Sequence, residues 1–230
     1  TGVGEGIRIR VQKAQGMGDL RDGLYLTAGE RISEDIVRLY EDGDEILYFR
    51  PHEMKLNYRG EERAVFGYDS PDAYFNGGDS KSVRVSGNEM VITYSNKSKD
   101  PKAVDIVFRL EGGGLKYDIV PEVSWPVHLD GIYYGYNFGG LGCQEIITPN
   151  ENVIDARGNE SYTDVLIGSK TWNDYQVMVS DERIVNVGGE FTKVWNSPRW
   201  QVSHLYSEEK GEVYISVQNS DGEDVPEYDG

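Results

Sequence analysis

The sequence predicts an all-β protein, a large antiparallel β-sandwich with little helix. Three observations lead there. Short runs of alternating apolar and polar residues recur at roughly ten-residue spacing, the signature of half-buried strands. Pairs of such runs flank Gly-containing turns such as Asp42-Gly43, Arg59-Gly60 and Gly112-Gly113, the chemistry of β-hairpins. Tyr, which favours strands, occurs 16 times in 230 residues, and no helical periodicity persists beyond about two turns. About fourteen strands are more than a minimal seven-stranded sandwich requires. Two smaller β domains, or a closed barrel, are the alternative architectures. Residues 1–218 are read as one large sandwich domain, with a subdivision near 121–126 as the alternative boundary. Residues 219–230 carry Asp221, Glu223, Asp224, Glu227 and Asp229 with no base, and read as a disordered or linker-like acidic tail.

Taken in order, Ile7, Ile9 and Val11 alternate with Arg8 and Arg10 as a first strand. A loop over 16–23 precedes a second strand at 24–27. Ile32, Ile36 and Leu39 have helical spacing, but the β-rich runs 35–40 and 45–49 around Glu41-Asp42-Gly43-Asp44 favour a hairpin. Three more hairpins follow, 54–58 with 63–68, 82–85 with 90–94, and 103–110 with 115–120. The last of these resembles the long hairpins of large sugar-processing β-sandwiches, a likeness shared with many other sandwiches that assigns no residue a role. Between the 54–68 and 82–94 hairpins lies a loop, 68–79, rich in Asp, Gly and aromatic residues, a composition that often carries function. Past residue 149, a polar excursion over 150–161 precedes strands at 162–167, 175–180, 184–187, 191–195, 200–206 and 212–218.

The stretch 125–149 is the best candidate for a functional surface. Ile132, Tyr134, Tyr136 and Phe138 alternate with Tyr133, Gly135, Asn137 and Gly139, so rings project from both faces of one strand. The same stretch holds Trp125, His128 and the single cysteine, Cys143. Gly inside a strand marks a bulge or the close approach of another group.

Charge excludes whole classes of partner. A net charge of −17 opposes nucleic acid and anionic membrane surfaces, both of which need clustered Lys and Arg. No apolar run approaches the roughly 18–20 residues of a membrane helix. The acid excess fits solubility or a saline habitat. It leaves calcium as the one cofactor to consider, at Asp42-Gly43-Asp44-Glu45 or 219–224, although neither has an EF-hand loop and no cofactor is otherwise expected. One cysteine forms no internal disulfide. Thr1 is not an initiator, so a segment is expected to have preceded it, and no targeting segment is visible. The sequons at Asn96 and Asn159 fit a secreted or cell-surface setting.

No motif names a reaction, and whether the protein is an enzyme is left open. The chain has no G-x-S-x-G, and His52, His128 and His204 show neither H-E-x-x-H nor a Cys partner at ligand spacing, so no metal site is expected. Forty acidic residues offer many carboxylate pairs for glycoside hydrolysis but select none. A polysaccharide lyase would instead draw on Tyr or His as base, with His128, Tyr133, Tyr134, His204 and Arg199 available. Binding is better supported. Sugar rings pack their C–H faces on aromatic rings while polar groups bond the hydroxyls. Trp125, His128, Tyr133, Tyr134, Trp195, Arg199 and Trp200 are therefore the candidate ligand-binding residues, expected on one concave surface for a glycan or other neutral ligand. The first reading is a carbohydrate-recognising sandwich, either a binding module or the β domain of a polysaccharide-active enzyme. The rival is a structural or surface-assembly protein whose aromatic face meets a protein partner or a second copy.

Overall fold

The structure, a computed structural model, describes residues 14–137 and the segments 145–147, 153–155, 163–165, 175–180, 183–189, 193–197, 202–207 and 213–219. These residues form nineteen strands and one short 3-10 turn, Pro126–His128. Among them, no helix is long and apolar enough to cross a membrane. The first half contains β1 (Ala14–Gly18), β2 (Leu24–Gly29), β3 (Val37–Glu41), β4 (Asp44–Phe49), β5 (Lys55–Tyr58), β6 (Glu61–Ala64), β7 (Ser80–Ser86), β8 (Glu89–Ser95), β9 (Ala103–Glu111) and β10 (Gly114–Glu122). The second contains β11 (Leu129–Asn137), β12 (Glu145–Ile147), β13 (Val153–Asp155), β14 (Thr163–Val165), β15 (Tyr175–Ser180), β16 (Arg183–Gly188), β17 (Lys193–Ser197), β18 (Val202–Ser207) and β19 (Val213–Asn219).

Two antiparallel sheets account for all of them. The first runs β1-β2-β3-β4-β11-β18-β17-β14, with the β5–β6 hairpin also paired to β11. The second runs β13-β12-β15-β16-β19-β10-β9-β8-β7. Both sheets take strands from either side of residues 121–126.

The hairpin turns follow from local chemistry. Asp42 and Gly43 have φ of 48° and 88°, and Arg59 and Gly60 of 57° and 75°, the left-handed pair that lets a two-residue loop match strand twist. The 35–49 ambiguity is thus resolved as a hairpin. Two expectations are corrected. Residues 14–18 are an edge strand rather than part of a loop, because they pair with β2 from Ala14↔Gly29 to Gly18↔Tyr25. The excursion after 149 contains β13, which pairs with β12. The strand proposed over 7–11 lies outside the described residues.

Inward-facing side chains of the two sheets make one apolar core. Phe49 of the first sheet packs edge-on against Phe108 and Tyr117 of the second, with ring centroids 5.1 and 4.9 Å apart. Tyr117 in turn meets Tyr134 of β11 at 5.5 Å. Such T-shaped pairs add to simple area burial because ring edges and faces carry opposite partial charge.

The opposite face of β11 receives the β4–β5 connection. Among the described residues β5 pairs with β11 over Leu129–Tyr133 and β4 at Asn137, so residues 50–54 lie over Gly135. A Cβ on Gly135 would come within 2.6 Å of the Glu53 carbonyl oxygen, a collision with backbone rather than with a movable side chain. The connection is also pinned by side chains. Glu53 accepts from the Asn137 amide, and His52 Nδ1 lies 3.1 Å from Asp35 Oδ2. Burial raises the Glu53 carboxyl above the ordinary range against the pull of Asn137 and His52.

Candidate functional site

A cleft among the described residues lies over the β5–β6 hairpin and is built around Asp100. Tyr58 ends β5 with its ring buried, and its hydroxyl donates to Asp100 Oδ2 at 2.9 Å. The same oxygen receives Arg59 Nη2 at 3.0 Å, and Asp100 Oδ1 accepts the Ser124 N–H at 2.9 Å. The Tyr58 oxygen itself accepts the Trp125 N–H at 3.3 Å. One carboxylate therefore gathers three stretches of chain: the hairpin, the turn after β8, and the segment leading to the 3-10 turn. Burial disfavours its charge, but the Ser124 N–H, the Tyr58 hydroxyl and the Arg59 guanidinium outweigh this and hold Asp100 below the usual carboxylate range.

The facing wall comes from the 68–79 loop. It folds back beside β6 through the Tyr74 N–H to the Ala64 carbonyl at 2.9 Å and the Phe75 N–H to Val65 at 3.2 Å. This sets Tyr74 over the hairpin, with the Arg63 guanidinium 5.9 Å from its ring centroid. Burial pushes the Tyr74 phenol up to about 12, so it is a neutral hydroxyl at physiological pH. The loop's far end is held by Asp79, whose side chain is 2% exposed. Asp79 accepts the Asn76 N–H at 2.8 Å, the Asn96 amide, and Lys99 Nζ at 2.6 Å. Between the walls is an open cleft of about 640 Å³, lined by Tyr58, Arg59, Glu61, Arg63, Tyr74, Lys99 and Asp100, with Pro71, Ala73 and Asn76 at its edge.

Asp79 and Asp100 both have folded pKa values below their ordinary 3.8, despite burial acting in the other direction. A depressed acid contributes stability above its unfolded value and loses it as pH falls through the folded value. The melting temperature is therefore expected to drop as pH falls below about 4. Asp79→Asn should melt lower at neutral pH and show a shallower acid decline. An unchanged acid slope in that variant, measured by circular dichroism, would remove Asp79 from this account.

The candidate residues from the sequence divide. Trp125 is 58% exposed, with its backbone joined to Tyr58. His128 is exposed, and its carbonyl accepts the Arg59 N–H at 2.9 Å. Both thus adjoin the cleft. Tyr133 lies on the outer face of β11, opposite Lys55 in the register, and the Lys55 ammonium sits 5.8 Å from its ring. It flanks the same hairpin without lining the cleft. Tyr134 is fully buried against Tyr117 and donates to Asp118 at 2.9 Å, which places its ring in the core and out of a ligand's reach. The backbone of Trp195 is in register with His204 of β18, and His204 with Gly135 of β11, two strands away. Arg199 and Trp200 lie outside the described residues.

Of the residues weighed for calcium, Asp42 accepts the Gly23 N–H at 2.7 Å, Asp44 pairs with Arg183 at 2.8 Å, and Glu45 pairs with Arg38 at 2.9 Å. Among the described residues, no group of three or more His, Cys, Asp or Glu side chains could hold a metal ion.

No family model matches this chain, and no curated protein does. The fold has solved counterparts. It is similar to part of the α-N-acetylgalactosaminidase NagBb from Bifidobacterium bifidum, in its complex with GalNAc, at a TM-score of 0.58 and 10% identity. That match covers 90% of this chain and 36% of the glycosidase, so the chain spans about a third of that protein's length. It is also similar to the Slr1438 protein from Synechocystis sp. PCC 6803, at a TM-score of 0.46 and 11% identity, covering 90% of this chain and 96% of that one. The likeness to the glycosidase shows a shared fold and nothing more.

The cleft residues Tyr58, Arg59, Arg63, Lys99 and Asp100 were not among the sequence candidates. One signal did point there: the composition of the 68–79 loop, which supplies Pro71, Ala73, Tyr74 and Asn76. The sequon at Asn96 also changes meaning. The Asn96 amide donates to buried Asp79 while its oxygen accepts the Ser98 N–H at 3.0 Å, so this side chain is committed to the turn that carries Lys99.

Proposed function

We propose that this domain binds a carbohydrate in the cleft over Tyr58 and Asp100, as a binding module or as the β domain of a polysaccharide-active enzyme. The observation that carries the reading is the lining itself, an open cavity of about 640 Å³ floored by the nearly buried Tyr58 and Tyr74 and rimmed by several oriented charged groups. A hollow of this size with rings and a few convergent polar groups suits a sugar unit or two. The exposed Trp125 side chain, whose backbone N–H bonds the Tyr58 hydroxyl, would extend the surface along a chain of sugars. A fold shared with part of a GalNAc-bound glycosidase is in keeping with this use, and a secreted or cell-surface setting accompanies it. A glycan array tests it. The intact protein should be retained by at least one glycan, and Trp125→Ala should weaken retention several-fold. Melting temperature should barely move, since exposed substitutions usually cost within about 0.5 kcal/mol. Absence of retention on a broad array would defeat the proposal.

A second reading is favoured by one feature. Val127 is 82% exposed next to Trp125, an apolar pair on a rigid 3-10 turn that also suits a protein partner. Sedimentation separates the two: a monomer retained by glycans supports the first, a glycan-blind oligomer the second.

A further inference from the structure

We infer that the ligand of this cleft carries a negative charge, a glycan bearing carboxylate or sulfate groups, an inference that rests on the carbohydrate reading above. The decisive feature is the balance of free donors and acceptors. Asp100 is spent on internal bonds, with Ser124 and Tyr58 donors both at 2.9 Å and Arg59 at 3.0 Å. Asp79 behind the cleft is spent likewise on Asn76, Asn96 and Lys99. These carboxylates orient cations rather than offering acceptors to a ligand.

The cations are not spent. Arg59, Arg63 and Lys99 side chains are 48%, 41% and 32% exposed, and each faces a cleft that they line together. A guanidinium has five N–H donors and an ammonium three, so one ion pair each leaves donors over. Arg63 is the most available. Its partner Glu61, at 2.7 Å, is 62% exposed, and an exposed pair of this kind contributes little. A ligand anion can displace Glu61 at little cost and take the bidentate geometry that guanidinium favours. Arg59 is fixed at the hairpin turn by its N–H bond to the His128 carbonyl and its pair with Asp100. The cleft thus sets three exposed cations against one exposed and weakly paired carboxylate, Glu61. A neutral sugar hydroxyl both donates and accepts, whereas a carboxylate or sulfate only accepts. The net charge of −17 works against any anion at long range, but screening at about 8 Å leaves the local cations in control.

The experiment measures binding of the intact protein to two matched sets of glycans: uronate-bearing chains with their methyl-esterified counterparts, and sulfated chains with their desulfated counterparts. Affinity for an anionic member should exceed that for its neutral counterpart by about tenfold or more. Which set shows the preference identifies carboxylate or sulfate. Arg63→Gln should lower anionic binding about tenfold and neutral binding by a smaller factor, so that the preference for the anionic member narrows. Glu61→Gln should act in the opposite direction, strengthening anionic binding by freeing Arg63. Opposed signs from two neighbouring surface substitutions exclude a shared folding defect. Equal binding of anionic and neutral members, or the same effect from both variants, overturns the inference while the carbohydrate reading stands. Retention of no glycan from any set overturns both.

Discussion

Phe49→Ala is expected to destabilise the protein by about 3–5 kcal/mol, the largest effect of any single substitution considered. Phe49 is fully buried and is one of the rings through which the two sheets touch, 5.1 Å from Phe108 and 4.9 Å from Tyr117. Truncation removes the transfer energy of the ring, opens a cavity, and strips two edge-to-face contacts at once. For a chain of this size the melting temperature should fall by roughly 6–20 °C. Tyr68→Ala is the control. Tyr68 is 51% exposed, and its loss should change stability by no more than about 0.5 kcal/mol. Similar shifts from both variants would mean that the sheets do not pack through this cluster.

Asp100→Ala is expected to couple stability to the site. The substitution leaves the Tyr58 hydroxyl, the Ser124 N–H and the Arg59 guanidinium without their common acceptor. Losing hydrogen bonds to a charged group should cost about 2–3 kcal/mol. Tyr58 and Arg59 also lose the group that orients them, so ligand binding in the cleft should fall together with stability. Asp100→Asn keeps an acceptor and the shape, and should recover part of each. A fully stable Asp100→Ala protein, seen by chemical denaturation, would show that the three segments are held together without this carboxylate.

Much of the fold is legible in the sequence because its determinants are local. Asp42-Gly43 sits between two β-rich runs, and the left-handed φ values at both residues are those its composition favours. The 103–122 hairpin is read the same way, with Gly112-Gly113 at its turn. β1 was missed because its residues, Ala14 to Gly18, have little strand character of their own, and only pairing with β2 makes them a strand. On β11 the alternation of rings was visible, but not which face is inside. Tyr134 belongs to the core because the second sheet offers Tyr117 to pack against, and no local signal reports that. The cleft was illegible for a related reason. Asp100 meets Tyr58 across 42 residues of sequence and Ser124 across 24. Each segment alone is an ordinary turn, and the site exists only once the sheets bring the turns together.

The central claim is that a glycan binds over Tyr58 and Asp100, and an amide-resolved NMR titration tests it most directly. The uniformly labelled intact protein is titrated with the glycan best retained on the array. The account predicts saturable shifts at residues 58–63, 73–76, 99–100 and 124–128, with the rest of both sheets unmoved. Saturable shifts confined to any other surface, with these four segments silent, would contradict it.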